Sequence, residues 1–356
     1  MNQEIRILFI FGLMIITSNV VVAQDYQVMP LAAQFDLEKI KAEPEMNGDL
    51  KKAKAALQRR KSIEDNNARE IFRTGAINDR FRGYYTQVIV PELTRYDRDS
   101  LQNLTSKHQR LIKDYATRVR NNDVRRYLVT QVYFPLFRQI VDGNYHPVVR
   151  YNALLHIGKL DAVVGKNGMN PPTPFPSALP YLIQKYNRLN DPQLAYFKYG
   201  AFKGIARIAA IDFQKPTPSD AGTTKPVFTA LLGNKPATLD EDLFRSMQRT
   251  SVQVLSYLGD PANIDAFSNL IKDAKTPIWT KADTAIALSK LKTNTFDATK
   301  LEATATSIAT FMHEILRNEV KALEYQQQRI AILAARKKEV SLDGISRGSS
   351  SSAGSS

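Results

Sequence analysis

The segment HPVVRYNALLHIGKL, residues 146–160, constrains the fold more than any other part of the sequence. Pro147 suits the first turn of a helix, because the hydrogen-bond donor that proline lacks would have no partner there. Apolar and small residues then follow at helical spacing, namely Val149, Ala153, Leu154, Gly158 and Leu160. The small ones permit a second helix to approach closely, so we expect a tightly packed helix whose Arg150 reaches turn carbonyls or an acidic residue of an adjacent unit.

A looser copy of this pattern is TPIWTKADTAIALSKL, which contains Pro277. In it Lys281 precedes Leu291 by ten positions, as Arg150 precedes Leu160. The two segments therefore predict similar helices, with a basic residue one turn in and leucine in the core.

Two further fragments place turns at related positions. VLSYLGDPANIDAFSNLIKD has a turn at Gly259 and Pro261 followed by a helix, and NDPQLAYFKYGAFKGIARI begins with an Asp-Pro pair at Pro192. Pro147 and Pro192 are 45 residues apart, within the ~40–47 residues of one family of helical repeats. The 85 residues from Pro192 to Pro277 hold two periods if an enlarged loop lies between them.

The order of proline, Val-Arg, alanine and Gly-x-Leu in the first segment resembles the pattern of HEAT repeats. These repeats are pairs of antiparallel helices that bury a continuous core only when copies stack. The resemblance covers roughly residues 120–295, and it is to secreted bacterial proteins of this type. It implies an all-α fold, a right-handed α-α superhelix of HEAT or armadillo type; an irregular helical bundle is the alternative.

The first 23 residues resemble a secretory signal, with Arg6 followed by an apolar run from Ile7 to Ile16. Val21 and Ala23 provide small residues at the expected cleavage positions. An uncleaved N-terminal anchor is the alternative, and no second stretch of the sequence is apolar enough to span a bilayer. The sequence thus predicts export to the periplasm or the extracellular space.

The remaining chain divides by composition. The predicted regions are an irregular segment at 24–48, a helical region at 49–119, repeats at 120–295 with loop inserts at 165–180 and 213–239, a long helix at 300–340 and a disordered Ser/Gly tail at 345–356.

The chain is basic, with 49 Lys and Arg against 35 Asp and Glu and a formal charge of +14. Export argues against chromosomal nucleic acid as the partner, so proteins or acidic envelope macromolecules fit this charge better. One segment holds six basic residues and no acidic one: Lys51, Lys52, Lys54, Arg59, Arg60 and Lys61. It is either a solvated helix face or a surface for an acidic ligand.

Little in the sequence points to catalysis. The absence of cysteine excludes disulfides, thiolate metal ligands and thiol nucleophiles. The four histidines, His108, His146, His156 and His313, include no pair at metal-binding helical spacing, and His146 and His156 are expected to be structural. Nucleophile-elbow and phosphate-loop motifs are missing, and Trp279 is expected in the core. We therefore expect no catalytic, cofactor-binding or metal-ligating residues and no enzyme activity.

Three functions are consistent with this pattern. The first is a non-catalytic HEAT-repeat scaffold, secreted or periplasmic, that binds a protein or another macromolecule through a solenoid surface. The second is a structural component of the envelope, held by an N-terminal anchor or by basic segments. The third is an enzyme whose site is formed by the two loop inserts.

Overall fold

A computed structural model describes residues 25–165, 170–188, 195–292 and 298–346, with side chains of the last helix described to residue 333. The predicted signal at 1–23 and the end of the tail from 347 lie outside the described residues. The chain divides into two compact units, Met1–Ile211 and Asp212–Ser356. Apart from one small sheet, the described regular elements are helices, so the all-α prediction is confirmed.

The first unit contains ten described α-helices. They are α1 (Leu37–Lys41), α2 (Leu50–Thr74), α3 (Asp79–Tyr84), α4 (Val90–Glu92), α5 (Arg98–Lys113), α6 (Asn122–Tyr127), α7 (Phe134–Asp142), α8 (Pro147–Ile157), α9 (Ala178–Arg188) and α10 (Ala195–Asp212). Two short strands, β1 (Asp161–Val163) and β2 (Thr173–Pro174), form an antiparallel pair, with β1 just before the first predicted insert and β2 within it.

Local signals set several helix ends. The carboxylate of Asp49 accepts hydrogen bonds from the backbone of Lys51 and Lys52 at the start of α2. Gly75 ends this helix with φ of 86°, in the left-handed region that glycine adopts without strain. Pro147 occupies the first position of α8, so this predicted boundary is confirmed.

Three π-helical segments extend helices of the first unit: Tyr85–Ile89, Asp114–Arg118 and Leu128–Tyr133. The first leads into α4, which contains Pro91, and the third leads into α7, which contains Pro135. Both prolines therefore lie within continuous helical stretches. The helices continue because a π turn shifts the hydrogen-bond pattern where proline supplies no donor.

Helices α2, α5, α8 and α10 are neighbours that run in the same direction. Hydrogen bonds between consecutive members of this set join residues that are 45 to 49 positions apart in the sequence. The pairs are Asp65–Arg110 (45), Tyr115–Asp161 (46), Asp161–Arg207 (46), His108–His156 (48) and Gly158–Arg207 (49). Antiparallel neighbours could not keep the separation constant from one end to the other. The regular arrangement begins at α2, before the predicted start of the repeats at residue 120.

The segment at 24–48, predicted to be irregular, contains α1 and a 3₁₀ turn at Ala33–Phe35. It is packed rather than loose, because Met29, Phe35 and Ile40 are buried. Its backbone is also tied to distant loops: the N–H of Gln27 donates to the carbonyl of Asn144 at 2.7 Å.

The second unit contains α11 (Ala221–Thr229), α12 (Glu241–Ser256), α13 (Ile264–Lys272), α14 (Ile278–Ser289) and α15 (Ala298–Ser346). The second insert, predicted to be irregular over 213–239, therefore contains a helix. Helix α11 tolerates Pro226 because burial of Val227 and Phe228 stabilises the short element. The long C-terminal helix predicted at 300–340 is confirmed and extends further at both ends.

Three ion pairs connect alternate helices of the second unit at another constant separation. Lys225 pairs with Asp260 at 35 residues, Arg249 with Asp283 at 34 and Lys300 with Asp265 at 35. Helices α12 and α14 are parallel neighbours, since Lys292 near the end of α14 also donates to the carbonyl of Gly259 after α12. The sequence had suggested two longer periods here.

The prediction for Trp279 was wrong. Its side chain is 64% exposed. Helix α14 buries Thr280, Lys281, Thr284 and Leu288 instead, and this face turns Trp279 outward. The apolar composition of the helix start did not reveal which of its faces packs on the core.

Candidate binding surface

Arg150 connects three helices of the first unit. Its Nε donates to the carbonyl of Val141, at the end of α7, at 3.0 Å. Its guanidinium also lies over the ring of Phe197 on α10, 4.2 Å from the ring centroid. The contacts of Arg150 therefore stabilise the packing of α8 between its neighbours.

The other predicted residues of this segment lie in the core of the first unit. Val149, Ala153 and Leu160 are buried. Gly158 packs directly against the backbone of Gly204 on α10. Pro192 lies outside the described residues.

The predicted residues of the second unit occupy turns and core positions. Gly259 has φ of 57° and packs its α-carbon against the carbonyl of Lys290. Pro261 begins a 3₁₀ turn, and Pro277 precedes the first residue of α14. Leu291 is buried just after that helix.

Lys281 is only 7% exposed. Its Nζ lies 4.0 Å from a carboxylate oxygen of Glu314 on α15. Both side chains border a groove of about 550 Å³ between α13, α14 and α15, which Phe311 closes from below. Because the charges of Lys281 and Glu314 oppose each other, the groove has no single dominant sign.

A buried ion pair joins β1 to α10. Both carboxylate oxygens of Asp161 accept hydrogen bonds from Nη2 of Arg207, at 2.9 and 2.8 Å. Arg207 also donates to the carbonyl of Gly158, and the hydroxyl of Tyr115 donates to the carbonyl of Asp161. Burial raises the pKa of the Asp161 carboxyl, and the nearby guanidinium opposes that rise.

Two histidines meet in the core between α5 and α8. The Nδ1 atoms of His108 and His156 are 3.1 Å apart, so the N–H of one ring donates a hydrogen bond that the other ring accepts. Burial lowers the pKa of His108 to about 3, with a further effect from Lys159, and lowers the pKa of His156 well below its usual range. Both rings are therefore neutral near pH 7, in line with a structural role. His146 caps α8 through its ring.

The predicted basic segment is divided between exposed and paired residues. Arg60 forms a bidentate ion pair with Glu43 at 2.9 and 2.7 Å, and Lys61 pairs with Glu92. These two side chains fix α2 against neighbouring segments. The exposed members of the set are Lys51, Lys52, Lys54 and Arg59.

Trp279, the aromatic residue of α14, belongs to an exposed surface that we did not predict from the sequence. Along one face of α14 lie Trp279, Ile286 and Lys290, and Ile286 is 54% exposed. Tyr257, at the end of α12, is 45% exposed, and the ammonium of Lys290 lies 5.4 Å from its ring centroid. The spacing of seven residues from Trp279 to Ile286 was the available signal.

A polar network holds this surface in place. Asp283 on α14 accepts from Nε of Arg249 at 2.5 Å and from the amide of Gln253 at 2.8 Å, both on α12. We call this set of residues the α12–α14 surface: Arg249, Gln253, Tyr257, Trp279, Asp283, Ile286 and Lys290. Exposed aromatic and apolar side chains alternate with charged ones along these two helices, and such a mixture with aromatic and basic groups is typical of a protein-binding site.

Within residues 25–333, apart from the gaps noted above, no group of three or more His, Asp or Glu side chains is arranged to hold a metal ion. None of the described helices combines the length and the apolar character that a membrane span requires. Comparisons with protein-family models, curated proteins and solved structures found no match to this chain. The fold defines its class as an all-α protein, with parallel neighbouring helices inside each of its two units.

Proposed function

We propose that this protein is an exported, non-catalytic α-solenoid of HEAT-like type that binds a protein partner through the α12–α14 surface. The constant separations between parallel neighbours support the solenoid, because stacked helix pairs are related by a fixed chain length. The family and the right-handed superhelix rest on the repeat pattern of the sequence. Export rests on the resemblance of the first 23 residues to a secretory signal.

The observation that carries the proposal is the exposure of Trp279, Ile286 and Tyr257 along the same pair of helices. Solvent-exposed aromatic and apolar groups that cluster on rigid helices are the usual anchors of protein interfaces. Their exposure is not needed for folding, since α14 buries a different face. A binding role explains why these side chains are large and apolar.

The border of the surface indicates the chemistry of the partner. Arg249, which contacts Asp283, and Lys290 place positive charge on either side of Ile286 along the helices, and only Arg249 has Asp283 as a counter-ion in this network. A partner with an apolar protrusion flanked by carboxylates would complement it. This agrees with the expected protein or acidic envelope macromolecule.

The test is capture from envelope extract with the full chain as bait, over a titration of salt. We expect a retained protein whose binding weakens with salt and is lost in the Trp279→Ala, Ile286→Ala variant. The matched control is Tyr325→Ala, Ile332→Ala, which removes two exposed apolar side chains from α15. Equal retention by all three baits, or by none at any ionic strength, would overturn the proposal.

A structural role in the envelope is the second candidate, and the exposed Lys51, Lys52, Lys54 and Arg59 favour it. Such a component would be released from membranes by high salt if these residues hold it, and only by detergent if an uncleaved signal does. Fractionation of wild type and of a variant with glutamine at the four positions separates these outcomes from a freely soluble binder.

The third candidate is an enzyme whose site is formed by the two loop inserts. Ser177 and Pro180, at the end of the first insert, border a groove with Phe134, Arg138 and Tyr181. That groove supplies aromatic and cationic groups and no nucleophile–base pair among its lining residues, which supports binding over catalysis.

A further inference from the structure

Helix α15 extends well beyond the part that packs on its own unit. Ser307 and Phe311 are buried near its start, and Lys300 pairs with Asp265 on α13. From Met312 to Leu333 every side chain is exposed except that of Ile315, which is half-buried. This stretch spans 22 residues, or ~33 Å at the rise of an α-helix. A helix of this length without packing partners is only marginally stable in water.

The exposed stretch is amphipathic. Its apolar side chains on one face are each more than half exposed, and we name them the C-terminal stripe: Met312, Leu316, Val320, Leu323, Ile330 and Leu333. Leu316, Leu323 and Ile330 follow one another at intervals of seven, the repeat by which helices pair in coiled coils. Folded monomers rarely leave such a stripe uncovered.

We propose that the C-terminal stripe pairs with the same stripe of a second copy of this chain, in antiparallel orientation. The charges of α15 select this direction. Residues 313–324 contain three glutamates and two basic residues, a net charge of −1, whereas residues 325–338 contain four basic residues and no acidic one. Antiparallel pairing keeps the four basic residues of one copy away from those of the other, whereas parallel pairing would place them together.

The register follows from the spacing. With Leu323 opposite Leu323 of the second copy, Leu316 faces Ile330 at each end of the contact. Glu319, which interrupts the stripe, then faces Gln327, whose amide can donate to the carboxylate. The contact is two-fold symmetric and closes on itself, which is the commonest form of homodimer.

A lipid surface fits the stripe less well. Helices that bind anionic membranes carry lysine and arginine on the polar face and often aromatic residues on the apolar one. Here the exposed stretch contains three glutamates against three basic residues, so it has no net positive charge, and its stripe contains no Phe or Trp. Gln326 and Gln327 also lie beside the stripe, where a second helix can satisfy them more readily than acyl chains can.

The first experiment is sedimentation equilibrium of the full chain. Wild type is expected to be a dimer at micromolar concentration, and Leu316→Glu, Leu323→Glu a monomer whose loss of helix content is confined to the unpaired part of α15. The control Tyr325→Glu, Ile332→Glu alters two exposed apolar residues on the opposite face of the helix and is expected to remain dimeric. A monomeric wild type, or dissociation of both variants alike, would overturn the proposal.

The second experiment fixes the orientation, and the absence of native cysteine makes it clean. Leu316→Cys and Ile330→Cys chains are purified, mixed and oxidised. Antiparallel pairing predicts disulfides between the two different variants and little linkage within either one alone. Predominant linkage within each variant would indicate parallel pairing and contradict the proposal. If the wild-type chain is monomeric and binds vesicles of phosphatidylglycerol, the stripe contacts a membrane rather than a second copy, and the proposal is wrong.

Discussion

Gly158 on α8 and Gly204 on α10 pack backbone to backbone: a β-carbon added to Gly158 would lie 2.4 Å from the α-carbon of Gly204. The neighbouring atom belongs to a helix backbone, so no side-chain rotation can relieve the clash. The contact lies beside the Arg207–Asp161 ion pair, which joins the same two parts of the first unit. The spacing of α8 and α10 therefore depends on two small residues and one buried ion pair.

Gly158→Ala is predicted to destabilise the first unit by about 1–3 kcal/mol, because overpacking forces a helix to move. The backbone conformation of Gly158 is ordinary αR, so alanine itself introduces no strain in φ. Urea unfolding followed by circular dichroism measures the change, since the single tryptophan, Trp279, reports on the second unit.

Gly83→Ala is the matched control for that substitution. Gly83 lies in α3 of the same unit, where an added β-carbon meets nothing closer than the 4.0 Å contact with Gln87. We expect it to be neutral or stabilising by up to about 1 kcal/mol through helix propensity. Equal loss of stability in both variants would show that the glycine contact has no special role.

Arg207→Met is predicted to cost about 3 kcal/mol, because it leaves the buried carboxylate of Asp161 without its counter-ion. The further change Asp161→Asn should recover part of this loss, since the amide carries no charge to desolvate. Arg73→Met, in the exposed pair with Glu70, is the control and should have little effect. A double-mutant cycle, with free energies of unfolding from urea titrations, measures the coupling between Arg207 and Asp161. If the effects of the two substitutions are additive, the ion pair does not contribute as predicted.

The histidine pair predicts a pH dependence of stability. In the unfolded chain both His108 and His156 bind protons below pH ~6.5, whereas in the folded protein their lowered pKa values keep them neutral. The unfolded state therefore binds more protons, and stability falls as the pH falls through the unfolded value. The loss amounts to up to about 1.4 kcal/mol per pH unit for each histidine.

The measurement is the free energy of unfolding between pH 7.5 and 5, a range above the titration of most carboxyl groups. His108→Leu, His156→Leu should flatten the slope, leaving the smaller effect of His146, whose pKa burial also lowers. His146→Asn serves as the control and should retain most of the slope. A wild-type slope near zero would contradict the neutral buried pair.

Local features of the fold could be predicted from the sequence. Gly75 and Pro147 mark helix ends because their backbone preferences act without help from distant residues. Gly158 indicated a close helix approach, yet its partner Gly204 could not be named, since that pairing joins residues far apart in the chain. The α-helices that continue through Pro91 and Pro135 also escaped prediction, because π turns depend on packing around them.

The candidate site was harder to predict than the fold. Trp279 was assigned to the core because large apolar residues usually are buried, and only the orientation of α14 corrects this. The separation of 34 or 35 residues in the second unit became visible through its ion pairs rather than through any repeated motif. The exposure of Tyr257 and its contact with Lys290 depend on two helices being neighbours, which one sequence does not reveal.

Trp279→Ala, Ile286→Ala is predicted to leave folding intact, because both side chains are more than half exposed. Helix content and the urea midpoint should change little. Binding of a captured partner, measured by calorimetry, should weaken at least tenfold, as expected for the loss of a central aromatic anchor. A large loss of stability would mean that these residues serve the fold.

The most direct test of the central claim is photocrosslinking in intact cells with a benzophenone amino acid in place of Trp279 or Ile286. Val163, an exposed apolar residue on β1 of the other unit, is the control position. The account predicts one discrete adduct to another protein from Trp279 and Ile286 and none from Val163. Adducts that are absent from the first two positions, or the same at all three, would contradict it.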